Sequence, residues 1–322
     1  MVLEQRLRHT ALPLSVLDPN ADFTQLHQTR PGADTAEARS INDADIRIQH
    51  SSVPTGEQLK ARFIDLSVPS KAAVLQLDPI KDAEEFNVLL HVDSNFVASD
   101  EASYVSSLHA SGDPGQARLA MRIENLQVLG WRLWSRGGGS VTEIIDTRPR
   151  ATVLDLGGFA HPSEPKVAAL AALEHLWINR NDRKSLLIVI DEAHNLCSPT
   201  PATPVERALT ALIVQIPAEG RKYGLWLFLS TQRPTKIHPN ALSQCDNLGL
   251  MRMNSPRDLA ELAEVFGLVP EELPLRSQHF KQGQGLFAGG FIAEPTVAQM
   301  RGRITQEGGS AVKVPVAPLP TG

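Results

Sequence analysis

An α/β fold, with a largely parallel sheet wrapped by helices on both faces and a helical insertion, is predicted by three features of the sequence. From Ala151 onward, strand and helix patterns alternate in units of the length that parallel crossovers need. Two of the strands, Leu186–Ile190 and Leu225–Leu229, are continuous apolar runs, as strands covered on both faces are. Between Leu77 and Arg136 the apolar period is helical instead.

In chain order, Val2–His9 reads as a helix and Leu12–Asp18 as a buried strand that ends in the turn signal Asp18-Pro19-Asn20. Residues 28–57 are polar, carry Pro31-Gly32 and Pro54-Thr55-Gly56, and read as loop with an edge strand at Ile46–Gln49. Asp82–His91, Glu101–His109 and Pro114–Arg136 are the helix candidates of the insertion. The last places Leu119, Ile123, Leu126, Leu129 and Leu133 on one face, opens with proline at a favoured position and runs into Gly137-Gly138-Gly139. The alternating part follows. Its strands are Ala151–Leu156, Ser185–Ile190, Leu225–Leu229 and Leu248–Met253; its helices are Lys166–Asn179, Val205–Glu219, Asn240–Cys245 and Pro256–Phe266. Gly285–Ala288 and Phe291–Ile292 suggest a closing hairpin, and Gln306–Gly322, rich in Gly and Pro, reads as a mobile tail. The chain thus divides into the start of a core (1–30), a loop with a helical insertion (31–150), the main core (151–305) and a flexible tail (306–322).

Composition excludes several classes. With 42% hydrophobic and 21% charged residues the chain is an ordinary globular one. No run approaches the roughly 18 consecutive apolar residues of a membrane span, and charges interrupt the N-terminus where a signal peptide would lie. The two cysteines and ten histidines show no metal-ligand spacing, so no structural zinc is expected and a reduced, cytoplasmic setting is. A net charge of -5 argues against coating nucleic acid with the whole surface. Between Glu219 and Asp258, six Lys/Arg stand against three acids, a local excess that could meet phosphates or could be a solvated face.

The chemistry is carried by Ser185-Leu-Leu-Ile-Val-Ile-Asp191-Glu192-Ala-His194. A buried strand here delivers adjacent carboxylates to the C-terminal edge of a sheet, the edge where open α/β sheets hold ligands. In phosphoryl transfer the first acid associates with Mg²⁺ and the second polarises the attacking water. An isolated Asp-Glu pair could instead cap a following helix; the five apolar residues before it favour the catalytic reading. Leu225–Leu229 runs into Ser230-Thr231-Gln232, which puts a glutamine at the tip of the neighbouring strand, as a γ-phosphate sensor or as a plain strand cap. Between them, Glu219-Gly-Arg221-Lys-Tyr-Gly224 is a basic turn. Arg221 could reach a neighbouring subunit's site or could simply sit at a solvated helix C-terminus.

Taken in order, "VLDPNADF", "VLDLGGF", "LLIVIDEAHNL", "EGRKYGLWLFLSTQRP" and "LMRMNSPRD" resemble the HerA-type ATPases of the HerA–FtsK group, from about Val2 to Arg303. The resemblance implies a RecA-like P-loop NTPase fold, ATP and Mg²⁺ as cofactors, a homo-oligomeric, hexameric ring, double-stranded DNA as the track, and a nuclease or defence effector as partner. It implies Asp191 as the magnesium-associated acid, Glu192 as the catalytic glutamate, Gln232 as the sensor, Arg221 as the residue presented in trans, and Asp18 near the nucleotide. The departure is the absence of G-x-x-x-x-G-K-[ST], the cradle whose N–H groups and lysine hold phosphates. Gly137-Gly-Gly-Ser140 lacks the lysine, and Lys71 lacks the glycines. By the resemblance, Met1 falls inside the first helix past that cradle. The expectation is an ATPase when the cradle is supplied upstream and an inactive one otherwise; the alternative is a catalytically silent binding or regulatory subunit. "Asp-Glu-Ala-His" also invites the DEAH-box helicases, but too few residues follow Gln232 for their second domain, and the slot for Ser-Ala-Thr reads Ser-Thr-Gln. A dinucleotide-binding dehydrogenase fails on the missing G-x-G-x-x-G.

Overall fold

The parallel sheet is built from apolar strands whose alternate residues enter two different cores. A computed structural model describes residues 2–33, 35–52, 57–92, 101–135, 139–267, 269–270 and 272–309. Helix α1 (Val2–His9) leads into strand β1 (Leu14–Asp18), then α2 (Thr35–Asn42) and β2 (Ile46–Gln49). The helical part holds α3 (Val68–Val74), α4 (Ala83–Val92), α5 (Glu101–Ala110), α6 (Pro114–Leu126) and α7 (Val141–Asp146). There follow β3 (Ala151–Asp155), α8 (Glu164–Ile178), β4 (Leu186–Ile190), α9 (Pro204–Glu219), β5 (Leu225–Leu229) and α10 (Pro239–Leu242). Last come β6 (Asn247–Leu250), α11 (Pro256–Val265), α12 (Glu272–Arg276), β7 (Gln284–Gly289) and β8 (Thr296–Gln299).

The five-stranded sheet runs β2-β3-β1-β4-β5, with every pairing parallel. Val16 sits level with Val153 on one side and Val189 on the other, and Val189 with Phe228. Leu14, Val16, Val153, Leu187 and Val189 face one core with Leu3 and Leu7 of α1 and Ile41 of α2. Leu17, Leu154, Ile188 and Ile190 face the other, with α8 and α9. This two-sided burial is why β1, β3 and β4 are apolar throughout rather than alternating. Helix α8 lies so deep that Val167–Leu173 are all buried. Its neighbour α9 opens with a capping box, in which Glu206 N–H donates to Thr203 Oγ1 (3.2 Å) and Thr203 N–H to Glu206 Oε2 (3.1 Å).

Several sequence-based expectations need correction. The helix read as Pro114–Arg136 ends at Leu126, because Gln127 turns left-handed (φ 51°) and is followed by a single 3₁₀ turn. Leu129 and Leu133 keep the helical spacing but lie beyond that break; Leu133 is buried in the same core from an irregular segment. Arg136, Gly137 and Gly138 lie outside the described residues. The strand expected at Leu248–Met253 forms as Asn247–Leu250, but in a separate antiparallel sheet, β6-β7-β8. It buries only alternate residues, which suits a sheet covered on one face. The closing hairpin exists with a different second arm, Thr296–Gln299 in place of Phe291–Ile292. Helix α2 forms within the polar stretch 28–57, with Ile41 as its buried anchor. The expected tail lies outside the described residues from residue 310 onward.

One buried acid ties the insertion to the core. Glu174 on α8 accepts from Ser67 N–H (2.9 Å), Ser67 Oγ–H (2.6 Å) and Ser70 Oγ–H (2.6 Å) at the start of α3. Replacing it with alanine leaves one buried and two half-buried donors unserved, so Glu174→Ala is expected to destabilise the fold by about 2–4 kcal/mol in urea unfolding. A change within about 0.5 kcal/mol, the level of an ordinary surface substitution, would show that this tie is unimportant.

Candidate active site

The C-terminal edge of the parallel sheet gathers acids from neighbouring strands. Asp18 ends β1 level with Asp155 at the end of β3, and Asp191 follows β4, donating its N–H to Leu17 O at 3.0 Å. Ser230 N–H donates to Ile190 O (2.9 Å), and Ala193 N–H donates back to Ser230 O (2.8 Å). These two bonds lock the segments after β4 and β5 together and set Glu192 against Gln232. Gln232 Nε2–H donates to Glu192 Oε1 at 2.7 Å. Glu192 Oε2 lies 3.1 Å from His194 Nδ1, at ion-pair distance but without hydrogen-bond alignment. The same ring nitrogen is 3.0 Å from Thr231 Oγ1. Glu192 itself is buried and left-handed (φ 42°), a conformation that costs a non-glycine residue about 1–2 kcal/mol.

Asp18 is fully buried, and its carboxylate accepts from Asp22 N–H (3.1 Å) and Phe23 N–H (2.7 Å). Burial pushes its pKa up to about 6; those two hydrogen bonds oppose the shift, while the nearby Asp191 and Asp22 carboxylates add to it. Asp22 is raised as well, first by burial and then by Asp191, against the guanidinium of Arg303. That arginine comes from the far end of the chain. It donates from Nη2 to Asp22 O (3.0 Å), lies over the Phe23 ring (5.5 Å) and is anchored beside Thr305, whose N–H and hydroxyl donate to the buried Glu4 of α1. One oxygen from each of Asp18, Asp22 and Asp191 lies within 4.8 Å of the others. A set of carboxylate oxygens is the donor chemistry of a hard divalent cation, so these three fit Mg²⁺ with water completing the shell.

The structure therefore brings together four of the residues singled out in the sequence: Asp18, Asp191, Glu192 and Gln232. It does not bring Arg221 to them. Arg221 precedes β5 while Gln232 follows it, and a five-residue strand separates the two ends by roughly 17 Å. Arg221 is exposed and pairs with Asp246. Asp22, His194, Thr231 and Arg303 join the site unforeseen. For Asp22 a signal was present, an acid four residues past Asp18 in a Pro-Asn turn; for Arg303 nothing in the local sequence points here. The thiols of Cys197 and Cys245 are free and pushed up to about 11, chiefly by burial, which leaves neither as a nucleophile.

The fold and this edge define the class: the chain has the α/β fold of P-loop NTPases. A solved VirB4 structure from Thermoanaerobacter pseudethanolicus superposes with a TM-score of 0.57, over 91% of this chain and 82% of that one, at 14% identity, a likeness of fold. No family model matches the chain. Among curated proteins, the DNA double-strand break repair helicase HerA of Sulfurisphaera tokodaii is 29% identical over 115 residues, 36% of this chain and 22% of that protein. A probable helicase of Methanocaldococcus jannaschii is 26% identical over 121 residues, 38% of this chain and 23% of that protein. Over these stretches the chain is similar to proteins named as HerA and as helicases. The match spans little more than a fifth of the relatives' length. Among the described residues, no helix is long and apolar enough to cross a membrane.

Asp18 supplies a pH test in metal-free buffer. Its folded pKa of about 6 lies above the ordinary aspartate value near 3.9, so the folded form holds the proton more tightly. The stability this contributes is complete below about pH 3.9 and is lost as the pH rises through about 6, an amount on the order of 2–3 kcal/mol. Asp18→Asn is expected to flatten most of that fall in unfolding measured between these two pH values, with Asp22 leaving a residual slope of the same sign. A variant whose pH profile superimposes on the parent would refute the assignment.

Proposed function

We propose that the chain is a motor subunit of HerA type, which hydrolyses ATP and moves double-stranded DNA as part of a homo-oligomeric, six-membered ring. The observation that carries this reading is the Gln232–Glu192 hydrogen bond of 2.7 Å, made between the tips of adjacent parallel strands beside the buried Asp191. On this reading Glu192 orients and deprotonates a water, and Gln232, which donates to its carboxylate, senses a phosphate oxygen. Asp191, with Asp18 and Asp22, would hold Mg²⁺, which supplies charge neutralisation for phosphate oxygens when bound. Thr231 Oγ1 meets His194 Nδ1 at 3.0 Å, and that ring nitrogen lies 3.1 Å from Glu192 Oε2. Arg221, exposed at the opposite end of β5, suits a role across a subunit boundary, where an arginine stabilises charge on a neighbour's triphosphate. A nuclease or defence effector as partner, and a cytoplasmic setting, go with this reading.

A second reading rests on a specific sequence observation: the 322 residues contain no G-x-x-x-x-G-K-[ST] to cradle phosphates. On this view the chain is a catalytically silent subunit that binds an intact motor or its partner. The active reading requires a phosphate cradle that these 322 residues do not supply.

Phosphate release in the presence of duplex DNA separates the two readings. The 322-residue chain alone is expected to turn over little ATP; robust turnover that Glu192→Gln abolishes would overturn this account of the cradle. In a form extended upstream to include the cradle, Arg221→Ala is expected to retain ATP binding and lose hydrolysis. Mixing it with Glu192→Gln subunits should restore part of the activity at mixed interfaces. No recovery in the mixture would exclude action in trans, and no activity in the extended parent would favour the silent subunit.

A further inference from the structure

The antiparallel sheet β6-β7-β8 buries one face and leaves the other open. Leu248, Leu250, Leu286 and Ala288 enter a small core with Leu259 and Leu262 of α11. The residues that alternate with them point the other way, where Gly249 is exposed and Phe287 half-buried. The centre of this open face, made of Gly249, Gly285, Phe287, Thr296 and Ala298, carries no charge. Its larger apolar side chains form one strip. Met251 lies against Gly285, where a Cβ would come within 2.8 Å of the Met251 Cε, so only glycine lets that side chain down onto the sheet. Phe287 flanks the same glycine, 3.3 Å from that Cβ position, and meets the Phe291 ring edge to face at 6.3 Å between centroids. Met251 nevertheless remains 41% exposed and Phe291 57%. Scattered exposed apolar residues are ordinary, whereas contiguous ones mark contact surfaces. Methionine and phenylalanine around an uncharged centre are the composition of an interface core.

The strip runs up to Arg221. Phe291 N–H donates to Asn247 Oδ1 at 3.0 Å, and the residue before that asparagine, Asp246, pairs with Arg221. Both members of the ion pair are more than half exposed, so it is weak and readily exchanged for another partner. Arg221 is separated from the acidic edge of its own chain by the length of β5. An exposed guanidinium offered to a neighbour needs an apolar anchor beside it, because rim charges contribute little to holding two proteins together.

We propose that the Met251–Phe287–Phe291 face seats a second copy of this chain and so presents Arg221 to that copy's acidic edge. The choice of occupant rests on the role in trans proposed for Arg221, with which the strip is continuous. Arg221 and the acidic edge lie at opposite ends of β5, so the two copies meet through different surfaces. Such a head-to-tail contact propagates into rings or filaments and does not stop at a pair.

The test is sedimentation velocity of the 322-residue chain over a wide range of concentration. The parent is expected to grow in mass beyond two copies. Phe291→Ser should move this association to higher concentration by about tenfold or more, as loss of a buried aromatic contact does. Met251→Ser should move it the same way. Leu90→Ser, which removes a comparably exposed apolar residue from α4, should leave it unchanged. Both face residues are exposed, so thermal melts should match the parent's; if Phe291→Ser melts earlier, Met251→Ser decides. The proposal is overturned by a parent that stays a single chain at every concentration, or by equal association in the parent and both face variants. Association that stops at two copies overturns the head-to-tail contact. A failure of the functional reading shows differently: association still sensitive to Phe291→Ser, but no recovery of hydrolysis when Arg221→Ala and Glu192→Gln subunits are mixed, which keeps the face as an interface and takes Arg221 out of it.

Discussion

The parallel register of β1, β4 and β5 is the constraint on which the rest of the molecule depends. It carries Asp18, Asp191 and the Ser230–Gln232 segment to one edge, and it does so with backbone bonds, Asp191 N–H to Leu17 O and Ser230 N–H to Ile190 O. Side chains that follow those bonds have little freedom in where they can point. The consequence is a concentration of like charge in a buried place, which the fold tolerates at a cost visible in the raised pKa of Asp18 and the left-handed backbone of Glu192.

That cost is contained by elements distant in sequence. Two backbone N–H groups of the loop after β1 serve Asp18, and Arg303 returns from the C-terminal part to hold the same loop by its backbone oxygen and its phenylalanine. Glu4 on α1 in turn fixes Thr305 beside Arg303. The edge is thus braced from both ends of the chain. A braced, charge-crowded edge is poorly explained by stability alone, because an apolar or singly charged edge would fold more easily. It is well explained by a task that needs oxygens converging on a cation and a carboxylate positioned for water.

What could be read from the sequence follows from the range of the interactions involved. Strands β4 and β5 were legible because each is an unbroken apolar run, and Asp191, Glu192 and Gln232 because they stand immediately after those runs. The partnership of Arg303 with Asp22 was not, since 281 residues separate the pair and no local pattern announces it. Helix α6 was overextended because Leu129 and Leu133 keep helical spacing past Gln127, whose left-handed turn has no glycine to mark it. Strand β6 was recognised as a strand but given to the wrong sheet. Alternation in Asn247–Leu250 reports one buried face, and the choice of partner belongs to tertiary packing.

The most direct measurement is a structure of the assembled protein with Mg²⁺ and a non-hydrolysable ATP analogue. The account expects the terminal phosphate at the C-terminal edge of β4 and β5, within hydrogen-bond reach of Gln232, with a water against Glu192 and the cation against Asp191. A nucleotide bound away from this edge, with Glu192 and Gln232 still paired and facing no phosphate, would contradict it.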